Sequence, residues 1–282
     1  MINPVEGHIF KVDKPLGWSS FHVVKKLRGA LLARLRQAGI RKLKVGHAGT
    51  LDPLASGVML ICSGKATRRI DELQAGRKIY TAEIALGATT PSFDLETPVD
   101  ATYPVSHITR DGVEAVLAKF TGRIEQIPPS YSACKVDGKR AYSIARKGED
   151  PGLKPKVLVI DEIKLEKFAP ESITVRVVCS KGTYIRALAR DIGEALGSGG
   201  HLTGLRREQV GEAAITDCLT VDEAEHLIRT APMVITGDDG SPVEVAPLPP
   251  RPVRESTLSR ADILPWNLRP DSHEADTTPT EQ

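Results

Sequence analysis

The sequence of 282 residues lacks a long apolar segment. A helix that crosses a membrane needs about 18 to 20 consecutive apolar residues, and no run in this chain approaches that length. The first residues, MINPVEGHIF, also lack the basic region and the apolar core of a secretory signal. We therefore expect a cytoplasmic protein that has no membrane partner.

Cysteine is scarce, and the four cysteines lie singly along the chain, at Cys62, Cys134, Cys179 and Cys218. No C-x-x-C pair occurs, and no histidine accompanies a cysteine at zinc-finger spacing. A structural zinc site requires clustered ligands, and a disulfide framework requires regularly spaced cysteines. The sequence therefore predicts free thiols in a reducing compartment and no bound metal.

Several common catalytic motifs are also missing. The sequence has no G-x-S-x-G, no Walker loop and no H-E-x-x-H, which excludes the corresponding hydrolase, nucleotide-binding and zinc-protease classes. One Ser-x-x-Lys motif, from Ser132 to Lys135, matches the acylation motif of penicillin-binding enzymes. Those enzymes begin a helix at the serine, whereas a turn sequence, VDGKR, follows here. Acyl transfer is thus an alternative that requires a helix to begin at Ser132.

Charge is divided unevenly along the chain, although the net charge of the whole is only +2. Residues 231–282 carry nine acidic and four basic side chains, so their net charge is −5 and that of residues 1–230 is +7. This tail also holds nine of the twenty prolines, which predicts a mostly disordered or extended segment. Within it, only the apolar residues around Trp266 are expected to dock onto the body. The basic body, residues 1–230, favours a polyanionic partner.

The body alternates helix and strand patterns. Helices are predicted at 19–37, with Ser19 or Ser20 as the N-cap, and at 183–196, with Thr183 as the N-cap. Strands are predicted at 8–15, 57–64, 77–86, 156–169, 172–180 and 201–213. The consecutive strand patterns at 156–169 and 172–180 predict an antiparallel pair. These elements predict an α+β fold, with a mixed, largely antiparallel sheet flanked by helices.

A basic segment and two shorter motifs suggest a function. Residues 25–44 contain eight Lys or Arg and no acid, which is typical of a solvated helix face or of a surface that binds phosphates. Asp52 lies in GHAGTLDPLASG, where glycines permit close approach of another backbone and Pro53 restricts the backbone of Asp52. This pattern is typical of a functional acid held in a tight loop, or of an Asx-type turn with no functional role. Arg186 and Arg190 lie one helical turn apart. Both could be surface cations; alternatively, an arginine at the start of the helix, Arg186, pairs with a buried acid such as Asp52.

Taken together, five segments resemble the TruB family, the bacterial tRNA pseudouridine-55 synthases. These segments are KVDKPLGWSSFHVV, GHAGTLDPLASGVMLICSGKATR, RKIYTAEIALG, CSKGTYIRALARDIG and HLTGLRREQVG, which cover residues 8 to about 212 in the order of that family. The resemblance implies the pseudouridine-synthase fold and an isomerase that acts on uridine 55 in the T-loop of tRNA. It also implies that no cofactor and no metal is needed.

The resemblance assigns a role to individual residues. Asp52 matches the catalytic aspartate of the family, and Arg186 matches the arginine that pairs with it. Substrate-binding roles are implied for four residues, namely His47, Tyr80, Tyr184 and Leu205. Supporting roles are implied for Lys14, in the block that carries the catalytic loop, and for Asp94, in the stretch GATTPSFDLETP, which departs from the family pattern.

Two further departures from the family shape the expectations. No recognisable PUA domain follows residue 230, so we expect a stand-alone monomer with a catalytic domain at 1–230 and recognition centred on the T-arm. The segment LARLRQAGIRKL is longer than the family pattern, and we predict that Arg34, Arg36, Arg41 and Lys42 contact tRNA phosphates. The alternative function is a tRNA-folding chaperone that acts mainly by binding the T-arm.

Overall fold

The computed structural model describes residues 1–132, 134–136, 138–145, 147–237 and 239–249. The helices are α1 (Ser20–Leu35), α2 (Ile70–Ala75), α3 (Arg110–Lys119), α4 (Ala141–Ala145), α5 (Ile185–Ala195) and α6 (Val221–Thr230). The strands are β1 (His8–Lys14), β2 (Val45–His47), β3 (Ala55–Ser63), β4 (Lys78–Leu86), β5 (Ala88–Thr89), β6 (Ala101–Thr102), β7 (Gly122–Gln126), β8 (Lys135–Val136), β9 (Lys139–Arg140), β10 (Lys156–Ala169), β11 (Ser172–Cys179), β12 (Gly200–Val210), β13 (Ala213–Ala214), β14 (Leu219–Thr220), β15 (Met233–Thr236) and β16 (Pro242–Val245). In these ranges, every helix is too short or too polar to span a membrane.

One mixed sheet forms the centre of the molecule, in the strand order β14-β1-β3-β12-β4-β11-β10-β7. β1 and β14 are parallel, as are β3 and β12, and the other neighbours along this path are antiparallel. The predicted pair β10 and β11 forms with β-bulges in its register. The predicted α+β fold, with a largely antiparallel mixed sheet, is confirmed.

Helix α1 begins where the sequence predicts and packs its apolar face inward. The side chain of Ser19, the N-cap, accepts a hydrogen bond from the backbone N–H of His22 at 3.2 Å. The residues predicted on the apolar face are all buried: Val23, Val24, Leu27, Leu31 and Leu35. This face contacts α6, whose own start is held by a capping box between Thr220 and Glu223.

Arg34 also lies on the buried side of α1, so the prediction that it contacts phosphate is wrong. Its side chain is 1% exposed, and its guanidinium donates hydrogen bonds to four carbonyl groups, those of Ile228, Ala231, Val245 and Ala246. The helical period explains the error, because position 34 is two turns after Leu27 and shares its face.

Two strands that follow residue 231, Met233–Thr236 and Pro242–Val245, continue the folded body. Strands β15 and β16 form an antiparallel hairpin, and its buried residues are Met233, Ile235 and Val245. Ile2 pairs with this hairpin, because its N–H donates to the carbonyl of Pro232 and its carbonyl accepts from the N–H of Val234. These two strands are ordered, so the disorder expected for the tail does not apply to Met233–Thr236 and Pro242–Val245. The predicted clasp around Trp266 lies outside the described residues.

Helix α5 starts at Ile185, after a turn that the sequence did not predict. Tyr184 is the N-cap residue, and its side chain does not cap the helix. The hydroxyl of Thr183, which we predicted to be the cap, instead donates to the carbonyl of Ser180 at 3.1 Å. The prediction was wrong because Thr183 belongs to the turn between β11 and α5. This turn brings the start of α5 to the edge of the central sheet.

Candidate active site

The loop that carries Asp52 is held rigidly at the start of β3. The hydroxyl of Ser20 accepts the N–H of Leu51 and donates to the carbonyl of the same residue, both at 2.8 Å. At the other end of the loop Gly57 has φ 109°, and a Cβ there would lie 2.2 Å from the carbonyl oxygen of Arg207. Only glycine fits such a position. The carboxylate of Asp52 remains 43% exposed on this rigid base.

Arg186, in the first turn of α5, lies behind the Asp52 carboxylate. Its side chain is only 5% exposed, and its Nη2 lies 3.0 Å from Oδ2 of Asp52. The guanidinium also approaches Oδ2 of Asp94 at 3.5 Å, and it donates to the carbonyls of Ser92 at 3.1 Å and Tyr131 at 2.8 Å. One buried cation thus connects the Asp52 loop with two further loops, and it fixes the orientation of the exposed carboxylate.

Asp94 lies in a tight turn that directs its carboxylate toward Arg186. Its Oδ1 accepts hydrogen bonds from the Ser92 hydroxyl at 2.6 Å and from the N–H of Glu96 at 2.9 Å. Phe93, between them, has φ 61°, an uncommon conformation for a residue other than glycine. The buried Asp94 carboxylate therefore has a fixed position, from which it supports the Arg186 side chain.

Asp52 opens into a cleft of about 790 Å³ between the sheet and the turn before α5. Residues predicted from the sequence to bind substrate line this cleft together with Asp52 and Arg186: Tyr80, Tyr184 and Leu205. Strand pairing produces this arrangement, since β12 lies between β3 and β4 and places Leu205 opposite Ala55 on one side and Ala82 on the other. A cleft of this size suits a small organic group such as a nucleotide.

Both cleft tyrosines are held as neutral phenols. Tyr80 is 8% exposed, and burial raises the pKa of its hydroxyl. Burial also raises the pKa of Tyr184, whose hydroxyl lies 3.1 Å from the thiol of Cys134. At neutral pH each ring therefore presents an apolar face and an uncharged hydroxyl to the cleft.

The structure reveals two supporting residues that the sequence analysis missed. Arg207 is 1% exposed and donates to the carbonyls of Gly49, Thr50 and Val58, which lie in the Asp52 loop and in β3. Gln126 is equally buried, and its side-chain amide pairs with both the N–H and the carbonyl of Tyr184, at 2.9 and 3.2 Å. In a sequence, a polar residue at an inward-facing strand position is the signal that could have identified Arg207 and Gln126.

Lys14 lies beneath the Asp52 loop and is fully buried. Its ammonium group donates to the carbonyls of Pro15 and Trp18. Burial lowers the pKa of Lys14 to about 7, although the nearby Asp52 carboxylate acts in the opposite direction. The position agrees with support of the loop rather than with contact to a bound molecule.

His47 lies on β2, opposite Ile61 of β3, and outside the residues that line the cleft. Burial lowers the pKa of its imidazole, so the ring is neutral at pH 7. Its Nδ1 is buried and makes no hydrogen bond within the part of the chain that the structure describes. His47 is therefore not among the residues that line the cleft with Tyr80, Tyr184 and Leu205.

The acyl-transfer alternative is not supported by the structure. Ser132 lines the cleft, but it lies in a bend, and the next helix, α4, begins only at Ala141. Arg190, one turn after Arg186, contacts Asp191 at 2.6 Å and the carbonyl of Ile127, so it faces away from Asp52. Of the two helix arginines, the structure brings Arg186 alone to the Asp52 loop.

The mixed sheet, with a loop aspartate and a buried arginine at one cleft, defines a pseudouridylate synthase domain. The family model for the TruB family pseudouridylate synthase N-terminal domain matches residues 36–185. The model for the tRNA pseudouridylate synthase B C-terminal domain matches residues 186–232. The chain belongs to the TruB family.

Curated relatives extend over most of the chain. A tRNA pseudouridine synthase B from Phocaeicola vulgatus is 63% identical over 221 residues, which are 78% of this chain and 93% of the relative. The protein of the same name from Flavobacterium johnsoniae is 46% identical over 225 residues, covering 80% of this chain and 97% of the relative. The two family models together cover residues 36–232, which contain Asp52, Asp94 and Arg186.

Solved structures show a similar fold. One chain of a Cbf5-Nop10-Gar1 complex superposes with a TM-score of 0.56 and 28% identity over 77% of this chain, which spans 54% of that larger chain. A chain of an H/ACA RNP bound to a substrate RNA containing 2'-deoxyuridine gives a TM-score of 0.53 and 26% identity, covering 77% of this chain and 52% of that chain.

Proposed function

We propose that this chain converts uridine 55 in the T-loop of tRNA to pseudouridine. The chain is an isomerase of the TruB family that acts on tRNA. In this reaction the bond between N1 of uracil and C1′ of ribose breaks, the uracil turns, and a bond forms between C5 and C1′. C5 loses a proton and N1 gains one, so atoms and electrons balance within the nucleotide. We therefore propose that neither a cofactor nor a metal ion takes part.

The observation that carries this proposal is the exposed Asp52 carboxylate beside a buried arginine. A carboxylate that acts on the nucleotide must be ionised, oriented and accessible. The Arg186 contact supplies the orientation, and the 43% exposure of Asp52 supplies the access. We assign to Asp52 the attack on the nucleotide, or the labilisation of its C1′ position. Asp94 keeps Arg186 in place through the contact of 3.5 Å.

The other predicted residues have roles that follow from their positions. Tyr80 and Tyr184 offer neutral rings against which a uracil can stack, and Leu205 adds an apolar wall. Lys14 supports the catalytic loop from below. His47 lies outside this cleft. We propose that it contacts the T-loop and holds the uridine out of the base stack. Moving a base out of the stack costs roughly 2 to 4 kcal/mol, which this contact would offset.

We also propose that a basic surface beside the cleft binds tRNA phosphates. It consists of six exposed cations on α1 and the segment after it: Lys25, Arg28, Arg36, Arg41, Lys42 and Lys44. Three of them, Lys25, Arg28 and Lys44, line a groove of about 730 Å³ that continues to Gly46, next to His47. The groove thus reaches β2, the strand that carries His47. This continuity supports the proposal that the T-arm of tRNA lies across both the groove and His47.

The salt dependence of tRNA binding tests the basic surface. Replacing Arg36, Arg41 and Lys42 by Gln should reduce the slope of log affinity against log salt by about 0.7 to 0.9 for each phosphate contact that is lost. As a matched control, Lys164→Gln and Lys167→Gln remove exposed cations from β10, on another part of the molecule. An unchanged slope in the first variant would contradict the assignment.

The decisive experiment for the reaction compares two proteins on one RNA. An unmodified tRNA transcript is incubated with the wild type and with Asp52→Asn, in EDTA, and pseudouridine at position 55 is measured. We expect modification by the wild type alone. If both proteins bind the transcript tightly and neither modifies it, the alternative function of a tRNA-folding chaperone is favoured. If modification requires added metal, the proposal of a metal-free reaction is wrong.

For the organisation of the chain, we propose a catalytic domain at residues 1–230 that acts as a monomer. The family matches end at residue 232, close to this boundary. Sedimentation of the full chain, alone and with a tRNA transcript, tests the monomer. A tRNA substrate supports a cytoplasmic location.

A further inference from the structure

Ser132 carries a buried hydroxyl that nothing in the described part of the chain satisfies. The residue is 3% exposed, and its Oγ makes no hydrogen bond within those residues. A buried polar atom without a partner is unusual in a folded protein and costs free energy. Since Ser132 is one of the residues that line the cleft containing Asp52, this unpaired hydroxyl lies in the wall of the volume where a ligand would bind.

The groups around Ser132 already have other partners. The Tyr184 hydroxyl and the Cys134 thiol lie 3.1 Å from each other. Ser132 lies close enough to the Cys134 thiol and the Tyr184 hydroxyl to lower the pKa of each as a hydrogen-bond donor would, but its Oγ forms no hydrogen bond of normal length and angle with either group. The backbone carbonyl of Ser132 accepts the N–H of Tyr142 at 3.0 Å, so the main chain is fixed while the hydroxyl is not.

The position of Ser132 is coupled to the catalytic aspartate through Arg186. The guanidinium of Arg186 donates to the carbonyl of Tyr131, the preceding residue, at 2.8 Å, and the same Nη2 lies 3.0 Å from Asp52. One side chain therefore sets the location of both the carboxylate and the segment that carries the serine. A hydroxyl can donate and accept, which suits the mixed donors and acceptors of a nucleotide.

We propose that Ser132 is a substrate-positioning residue whose Oγ hydrogen-bonds the uridine bound over Asp52. This inference rests on the proposed function, because it takes a nucleotide as the occupant of the cleft. In the free protein the hydroxyl is held without a partner, and the uridine supplies that partner when it enters. The interaction orients the uridine relative to the Asp52 carboxylate.

The test separates a substrate contact from a structural role by measuring activity and stability together. Ser132→Ala removes no internal hydrogen bond, so the thermal midpoint should stay the same or rise slightly. Loss of one hydrogen bond to the substrate should lower kcat/KM about 3- to 10-fold. The matched control is Ser198→Ala, because Ser198 is also buried but its Oγ donates to the carbonyl of Gly199, away from the cleft. That variant should leave kcat/KM unchanged.

Two results would overturn the proposal. Ser132→Ala with the kcat/KM of the wild type would show that the hydroxyl contacts no substrate group. A thermal midpoint that falls in parallel with activity would show that the serine acts on the fold. The wild-type protein on the same transcript provides a separate readout, because its failure to form pseudouridine would refute the proposed function rather than the role of Ser132.

Discussion

Replacing Arg186 by lysine is the most informative change in the candidate site. Lysine keeps the positive charge but lacks the planar fork of the guanidinium, which here reaches two carboxylates and two carbonyls at once. A single ammonium group cannot bridge Asp52, Asp94 and the carbonyls of Ser92 and Tyr131 from one position. We therefore expect Arg186→Lys to fold and to bind tRNA, but to hold the Asp52 carboxylate less well.

The structure sets the size of the expected effect. A hydrogen bond to a charged group contributes about 1.5 to 3 kcal/mol, which corresponds to a rate factor of about 10 to 150. Because the Asp52 side chain is 43% exposed, water replaces part of the lost interaction, and the lower end of this range applies. We expect kcat/KM to fall about 10- to 30-fold. The loss should lie in kcat, since Arg186 acts through Asp52 rather than by holding the RNA.

The assay measures kcat and KM for pseudouridine formation on one tRNA transcript. The control is Arg190→Lys, one turn further along α5, where the arginine contacts Asp191 and the carbonyl of Ile127. That variant should retain kcat within about threefold of the wild type. Equal losses in the two variants, or an Arg186→Lys enzyme with normal kcat, would refute the reasoning.

Three further predictions concern stability. Arg34→Met should lower the free energy of unfolding, measured in urea, by about 3 kcal/mol, because buried carbonyl groups lose their donor. The control, Arg36→Met, removes an exposed arginine and should change this free energy by less than about 0.5 kcal/mol. Equal changes in the two variants would contradict the buried position of Arg34. A chain that ends at residue 230 should have a lower thermal midpoint than one that ends at residue 249, because it lacks the buried residues of the hairpin. Equal midpoints of these two chains would show that the hairpin contributes nothing. Burial lowers the pKa of Lys14 to about 7, so the unfolded chain binds more protons between pH 7 and 9 and the free energy of unfolding rises with pH there. Lys14→Met should remove about 2 kcal/mol of this rise, and an unchanged pH dependence would argue against a neutral lysine.

Local patterns in the sequence predict much of the fold. The N-cap at Ser19 and the apolar positions of α1 follow from a period of 3.6 residues. The adjacent strands β10 and β11 follow from their length and from their β-branched residues. These features are predictable because each depends on residues that are close together in the chain.

Other features depend on partners that are distant in the chain, and the sequence alone could not provide them. Arg34 has the charge of a phosphate-binding residue, yet its acceptors lie near residue 230 and in the hairpin, so it became part of the interior. Arg207 and Gln126 were missed for the same reason, because their partners are backbone groups that carry no mark in a sequence.

The sequence by itself determined the α+β class, the segments that carry Asp52 and Arg186, and the family to which the chain belongs. Those properties depend on residue types and on short spacings along the sequence. Only the tertiary structure decided which cations are available to a ligand and which polar groups support the Asp52 loop. It also decided that the hydroxyl of Ser132 has no partner among the residues that the structure describes. The physical reason is that burial and hydrogen bonding are properties of the packed chain, and a residue acquires them only from the neighbours that the fold brings to it.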